Sequence, residues 1–148
     1  MAKLNNTVGK IEVSVVIFCD ELGNVIVQKR GKKSRNNEKY ALWGGMVKKR
    51  ETGDEAIKRE LTEELGFIPK ILDKCGDYEF DIKEGKYKGE KILFHVYLSP
   101  IPEGWKDSPV YEGEKTVMLK TTEITNNPNF FQGDRDLFWQ LINEGKIS

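Results

Sequence analysis

The sequence has few of the residues that build disulfide or zinc frameworks. Only two cysteines and one histidine occur in 148 residues. Cys19 and Cys75 are isolated from each other and lack metal-ligand spacing, which argues against a cysteine-based metal site. Cys19 lies in an apolar run, where a buried free thiol is the ordinary outcome. We therefore expect free thiols and no disulfide.

Long apolar runs and an excess of one charge are also absent. No stretch approaches membrane-spanning length, and residues 1–7 lack the apolar centre and cleavage site of a signal peptide. Lys plus Arg and Asp plus Glu each number 24, so no global field draws the protein to nucleic acid or anionic lipid. We expect a cytoplasmic protein that binds a small molecule, with no nucleic-acid or membrane partner. The oligomeric state is left open.

Nothing in the sequence divides the chain into parts, since it has no internal repeat, low-complexity tract or linker. Charged residues make up 32% and apolar residues 38%, a balance typical of a globular protein and not of a disordered one. A chain of this length buries roughly two-thirds of its unfolded surface as one unit. The sequence thus predicts a single domain over residues 1–148.

Strand and helix patterns follow one another along the chain. β-Branched residues predict one hairpin from residues 11–19 and 25–30, and a second from residues 75–82 and 91–98. Apolar residues at helical spacing predict helices over residues 51–65 and 130–144. The other predicted elements are a strand-like segment at residues 40–43, a polar loop at 31–39 and a last strand at 116–119. This order predicts a mixed α/β fold.

The first helix carries three glutamates on one face. Glu60, Glu63 and Glu64 are spaced i, i+3 and i+4, so they lie side by side. Like charges at this spacing repel, and a hard divalent cation converts the repulsion into ligation. Oxygen ligands favour Mg²⁺ or Mn²⁺ over zinc. The alternative is a solvated acidic face, which is what most Glu-rich helices have.

Neighbouring residues favour the metal hypothesis. Arg59 precedes Glu63 by four residues and can hold that carboxylate by a charge-assisted hydrogen bond. Glu51, at the helix entry, can reach the same cluster. Gly45 follows a strand-like segment, where a glycine lets the backbone bend closely and present its carbonyl to a metal.

The whole segment resembles the Nudix box, written G-x5-E-x7-R-E-U-x-E-E-x-G-U, where U is a bulky apolar residue. Every fixed position is filled, by Gly45, Glu51, Arg59, Glu60, Leu61, Glu63, Glu64, Gly66 and Phe67. The order of elements is similar to that of the family along nearly the whole chain. There are departures: many relatives have a proline, a glutamate and a glycine where this chain has Trp43, Lys48 and Arg50. These positions shape the loop and are not metal ligands, and Trp43 is expected to be core.

The resemblance implies a Nudix-type α/β/α sandwich with a mixed β-sheet, and a hydrolase that cuts a diphosphate linkage in a nucleoside diphosphate derivative. It implies Mg²⁺ as cofactor, with Mn²⁺ as the alternative. The implied metal ligands are the Gly45 carbonyl and the carboxylates of Glu60, Glu63 and Glu64. Arg59 then belongs to the catalytic group.

The general base varies within the family, because some relatives use a glutamate of the box and others a glutamate on a later loop. Here the candidates are Glu63 in the box and Glu112 before the last strand, with Glu114 as a close rival. The alternative is that Glu112 and Glu114 are ordinary loop charges. His95 lies in an apolar strand, so we expect it to be a hydrogen-bonded structural residue and assign it no role.

Three residues outside the box are candidates for binding the rest of the substrate. Arg30, at the end of the second strand, is placed to contact phosphate. Asp134 resembles in position a family residue that hydrogen-bonds a purine edge, and Phe131 could stack on the base. The alternatives are a solvated arginine, a core aromatic and a helix-capping aspartate.

The box does not specify the group attached to the diphosphate. A nucleoside triphosphate, including one with an oxidised purine, cleaved to the monophosphate and pyrophosphate is the favoured substrate. ADP-ribose or a nucleotide sugar is the alternative. A module that senses nucleotides without cutting them is a further alternative, but such members of the family typically lack one or more box glutamates, and this box is complete.

Overall fold

The computed structural model describes residues 10–30, 38–107 and 115–148. The seven strands are β1 (Lys10–Cys19), β2 (Asn24–Lys29), β3 (Tyr40–Ala41), β4 (Trp43–Met46), β5 (Asp73–Asp81), β6 (Lys91–Pro100) and β7 (Lys115–Lys120). The helices are α1 (Gly53–Leu65), α2 (Thr121–Ile124) and α3 (Gln132–Asn143), and a 3₁₀ turn covers Trp105–Asp107.

The strands form one mixed sheet with the order β3-β2-β1-β6-β5, in which β4 also pairs with β1 and β7 with β2. Both predicted hairpins are confirmed, because β1 pairs antiparallel with β2 and β5 antiparallel with β6. The two hairpins join through a parallel pairing of β1 with β6, from Lys10 opposite Lys91 to Cys19 opposite Pro100. Strand β1 therefore lies in the middle of the sheet.

Helices cover both faces of this sheet. Side chains alternate along a strand, so Val16 and Phe18 of β1 pack against α1 while Val15 and Ile17 pack on the opposite side with α3. Burial on both faces explains why β1 is a nearly continuous apolar run. The predicted α/β/α sandwich is thus confirmed. Trp43 is fully buried on the α1 side, as expected.

Helix boundaries differ slightly from the predicted ones. Helix α1 begins at Gly53, not Glu51, because Thr52 and Glu55 form a capping box at its N-terminus. It ends before Gly66, which has a φ of 79° as a C-terminal glycine should. The closing helix α3 is shorter than predicted, and the sequence reasoning missed α2 and the 3₁₀ turn.

Both cysteines are free, as expected, although each is only partly buried. Burial raises the pKa of the Cys19 thiol to about 11, so this side chain is a poor nucleophile. Within residues 10–30, 38–107 and 115–148, none of the helices has the length and apolar character needed to cross a membrane.

Candidate active site

Helix α1 packs its apolar side against the sheet, beside strand β4. Ile57 and Leu61 are fully buried against Trp43 and its neighbours. This packing directs Glu60 and Glu64 toward the glycine pair that follows Trp43. Glu63, in contrast, stays 44% exposed.

Glu64 is the most buried of these carboxylates, with an exposed fraction of 4%. Its two oxygens accept hydrogen bonds from the Gly44 backbone N–H at 2.9 Å and from Gln28 Nε2 at 3.0 Å. Gln28 is itself buried in β2. The sequence reasoning overlooked Gln28, although a long amide side chain in an otherwise apolar strand is a signal for a buried polar contact.

Arg59 contacts the other carboxylates of the box. Its guanidinium donates to both oxygens of Glu51, at 2.7 and 2.9 Å, and to Glu60 Oε1 at 2.8 Å. It also donates to the Met46 carbonyl at 3.0 Å. The expected pairing with Glu63 is present but is the longest of these contacts, at 3.5 Å. Arg59 thus links the loop before α1 to the ligand face of the helix.

The ion pair between Arg59 and Glu51 has an electrostatic consequence. Hydrogen bonds from the guanidinium lower the pKa of Glu51 to about 2, so this carboxylate stays charged at any physiological pH. The hydrogen bonds to Glu51 in turn raise the pKa of Arg59. Both groups are therefore ionised near neutral pH, and the ion pair between them does not titrate there.

Gly45 lies directly against the Glu60 carboxylate. A Cβ atom built on Gly45 would lie 2.5 Å from Glu60 Cδ, closer than side chains approach each other. Only glycine fits here without displacing Glu60. The contact explains the fixed glycine of the box and brings a backbone carbonyl next to a candidate ligand.

A divalent metal needs several oxygen ligands close together. Gly45, Glu60 and Glu64 are neighbours and offer only oxygen atoms, which suits a hard cation. Among the residues that the structure describes, however, no three acidic, histidine or cysteine side chains converge as a finished metal site. Arg59 holds a Glu60 oxygen, and Gly44 and Gln28 hold those of Glu64. These residues fit a divalent ion if the Glu60 oxygen that now accepts a hydrogen bond from Arg59 binds the metal instead.

A cavity of about 200 Å³ lies beside this cluster, on the other side of Gly44 and Gly45. The three predicted substrate-binding residues, Arg30, Phe131 and Asp134, all line it. The remaining walls are mainly apolar and aromatic and include Val13, Val15, Tyr40, Tyr87, Ile92 and Phe94. One cavity thus contacts both the backbone of the candidate metal site and the candidate base-binding residues.

Asp134 is buried in this cavity, with an exposed fraction of 9%. Burial raises the pKa of its carboxyl to about 7, and the charge of the nearby Glu38 acts in the same direction, while Arg30 lowers it. The side chain does not cap α3, because the N-cap is Phe131 and no side chain makes a capping hydrogen bond there. The helix-cap alternative is therefore wrong.

The sequence reasoning missed several lining residues. Tyr87 lies in the segment between the two strands of the second hairpin, which was treated as a plain connection. Glu38 comes from the end of the predicted polar loop, and Tyr40 from the strand-like segment that follows it. Glu112 and Glu114, the late candidates for the base, lie outside the described residues.

Comparison with known proteins agrees with the geometry. The NUDIX domain family matches residues 10–138, and the chain belongs to this family of hydrolases. An 8-oxo-dGTP diphosphatase of Proteus vulgaris is 33% identical over 57 residues, covering 38% of this chain and 51% of that protein. The match thus spans only about half of that relative's length.

Two solved structures illustrate the shared fold. A MutT protein of Methanosarcina mazei Go1 superposes with a TM-score of 0.69 at 24% identity, covering 93% of this chain and 96% of that one. The ORF135 protein of E. coli gives a TM-score of 0.66 at 21% identity, covering 96% and 94%. Both structures share the fold of this chain. The Nudix hydrolases, the family to which the chain belongs, generally use divalent metals and act on small nucleotide substrates.

Proposed function

We propose that the protein hydrolyses a purine nucleoside triphosphate, with oxidised purines included, to the monophosphate and pyrophosphate in the presence of Mg²⁺. The observation that carries the proposal is that one cavity is lined both by Gly45 and by Phe131 and Asp134. A nucleotide needs adjoining sites for phosphates and for base, and this cavity offers both. The Proteus vulgaris relative is an 8-oxo-dGTP diphosphatase, which supports the same substrate class.

The metal-binding group of the proposal consists of the Gly45 carbonyl, Glu60, Glu63 and Glu64. A bound Mg²⁺ supplies charge neutralisation for the phosphates and activation of the attacking water. Arg59 donates hydrogen bonds to Glu51, in the loop before α1, and to Glu60. It therefore fixes the position of Glu60 relative to that loop. Mn²⁺ has the same preference for oxygen ligands and is the alternative ion.

Glu63 is the proposed general base of the box. Its side chain is 44% exposed and makes only the long contact with Arg59 among the ion pairs of the described residues, so its carboxylate is accessible to water. In this reaction Glu63 removes the proton from the attacking water while the α–β phosphoanhydride bond breaks and pyrophosphate leaves. Glu112 is the rival base.

Arg30, Phe131 and Asp134 form the proposed substrate-binding group. Arg30 offers a fixed positive charge to a phosphate, and Phe131 offers an aromatic face to the base. The position of Phe131 depends on Gly133, where a Cβ atom would lie 2.6 Å from the Phe131 ring. Asp134 is buried and can hydrogen-bond a purine edge. A base that left this buried carboxyl without a partner would bind at a cost in free energy.

A substrate panel tests the proposal. The purified protein is incubated with Mg²⁺ and canonical and oxidised nucleoside triphosphates, ADP-ribose and nucleotide sugars, and kcat/KM is measured for each. The expected result is a purine triphosphate, or its oxidised form, at the top of the ranking, with monophosphate and pyrophosphate as products. A clear preference for ADP-ribose or a nucleotide sugar would contradict the substrate class, and binding without turnover would favour a sensing module.

A further inference from the structure

His95, the only histidine of the chain, packs against the first residue of helix α1. A Cβ atom on Gly53 would lie 2.7 Å from Cγ of the His95 ring, so a larger residue at position 53 would displace the ring or the helix. Gly53 is one of the buried residues of α1. The ring therefore fixes how closely the helix start approaches the sheet.

Both nitrogens of the ring contact carboxylates. Nε2 lies 2.5 Å from Glu12 Oε2 and Nδ1 lies 2.8 Å from Asp77 Oδ1. Each ring nitrogen therefore faces one acidic side chain, from β1 on one side and from β5 on the other. Lys74, 2.9 Å from Asp77, adds a positive charge beside this pair.

The side chains beside His95 contact the same turn of α1. Ser14 Oγ donates to the Gly53 carbonyl at 2.8 Å, and the Tyr97 hydroxyl donates to Asp54. Residues of β1 and β6 come together here because the two strands are parallel, with Ser14 opposite His95. The first turn of α1 is therefore held by three neighbouring side chains of the sheet.

Glu12 connects this contact to the loop after β4. Its carboxylate binds His95, and its backbone carbonyl accepts the Val47 N–H at 2.9 Å. Val47 lies two residues beyond Gly45. Glu12 thus contacts both His95, which packs under the start of α1, and the end of β4, which carries Gly45.

We propose that His95 is a positioning residue for the metal-binding group: its ring, held by Glu12 and Asp77, sets the position of helix α1 relative to Gly45. The proposal rests on the metal site of the proposed function and not on the identity of the substrate. Groups that orient metal ligands from outside the ligand set typically contribute 10- to 100-fold to affinity or activity. His95 does not contact the candidate ligands, so the low end of that range, about tenfold, is expected.

The two contacts of the ring are measured directly. Because His95 is the only histidine, ¹⁵N-histidine labelling gives one pair of ring signals that needs no assignment. In the expected result, Glu12→Gln and Asp77→Asn each shift the signal of the ring nitrogen that the carboxylate contacts. Ring signals that neither substitution moves would overturn the proposed arrangement.

Metal affinity is measured separately from turnover, by electron paramagnetic resonance of bound Mn²⁺. His95→Phe keeps an aromatic ring against Gly53 but removes both ring nitrogens, and should weaken Mn²⁺ binding about tenfold or more. His95→Gln keeps one amide donor and should bind with intermediate affinity. Tyr78→Phe is the matched control, since it removes a hydrogen bond to Glu144, next to the end of α3, and leaves α1 untouched.

Melting temperatures of the three variants complete the test. If His95 has only a structural role, the His95 variants should have a lower melting temperature but an unchanged Mn²⁺ affinity while they are folded. Wild-type affinity in folded His95→Phe, or in His95→Gln if the phenylalanine variant does not fold, would overturn the proposal. If the variants lose Mn²⁺ affinity but the wild type fails to hydrolyse triphosphates, the positioning role stands and the proposed substrate falls.

Discussion

Replacing Gly45 by alanine should separate metal binding from folding. The added Cβ would lie 2.5 Å from Glu60 Cδ, whereas ordinary contacts begin at 3.4 Å, so the carboxylate must move by about 1 Å. A misplacement of that size in a catalytic group costs about 10²-fold in rate. The structural cost is small, because the displaced group is the end of a flexible side chain.

The assay measures kcat, the Mg²⁺ concentration at half-maximal rate, and the melting temperature of Gly45→Ala. A large loss of rate or Mg²⁺ affinity with a nearly unchanged melting temperature is expected. Gly145→Ala is the control, for which we expect the opposite pattern. The φ of Gly145 is 72°, and no atom lies within 4 Å of the added Cβ. Backbone strain should therefore cost roughly 1–2 kcal/mol of stability, while the rate should not change. Wild-type rate and Mg²⁺ dependence in Gly45→Ala would refute the placement of Glu60 in the metal site.

Four further predictions concern residues assigned to the site. Glu63→Gln and Glu64→Gln should each lower kcat by a hundredfold or more while the fold survives, and a near wild-type rate in either would remove that residue from the metal group. Glu112→Gln should be much slower than Glu114→Gln if the late loop supplies the base, whereas equal, small effects would return the base to the box. Asp134→Ala should lower kcat/KM for the preferred purine nucleotide and barely alter a poor pyrimidine substrate; a uniform loss would argue against base recognition. Burial raises the pKa of Asp134 to about 7, so its contribution to stability becomes less favourable as pH rises from about 4 to 7. Asp134→Asn should therefore stabilise the protein more at pH 8 than at pH 5 in thermal melts, and equal effects at both would contradict the buried carboxyl.

Local spacing predicted the part of the site that lies on one helix. The i, i+3, i+4 pattern of Glu60, Glu63 and Glu64 gives a shared face whatever the rest of the chain does. The cap at Gly66 followed in the same way from local chemistry. The candidacy of Asp134 came instead from resemblance to a family. That Arg30 lines the same cavity as Asp134 was not predicted, because no local rule brings residues so far apart in sequence together.

Contacts between distant strands were beyond the sequence reasoning. The parallel pairing of β1 with β6 places Ser14 opposite His95, and only this pairing brings His95 under Gly53. A strand pattern shows which face a residue occupies but not which strand lies beside it. His95 was accordingly treated as structural and without a role, although its hydrogen bonds were expected.

The loop between β4 and α1 shows how a departure from the family pattern is accommodated. Arg50 stands where many relatives have a glycine, and it adopts a φ of 67°, a conformation that favours glycine. The Glu51 N–H donates to the Lys48 carbonyl at 3.0 Å and the Lys48 N–H to Glu51 Oε1 at 2.9 Å. These two bonds, with the ion pair to Arg59, hold the turn in its shape despite the arginine.

The most direct test of the central claim is a time course of pyrophosphate release from a purine nucleoside triphosphate. It is followed with Mg²⁺, with the metal removed by chelation, and in the Glu64→Gln variant. We predict equal amounts of monophosphate and pyrophosphate from the wild type with Mg²⁺ and almost none in the other two reactions. Release of inorganic phosphate with a nucleoside diphosphate, or undiminished turnover without metal, would contradict the account.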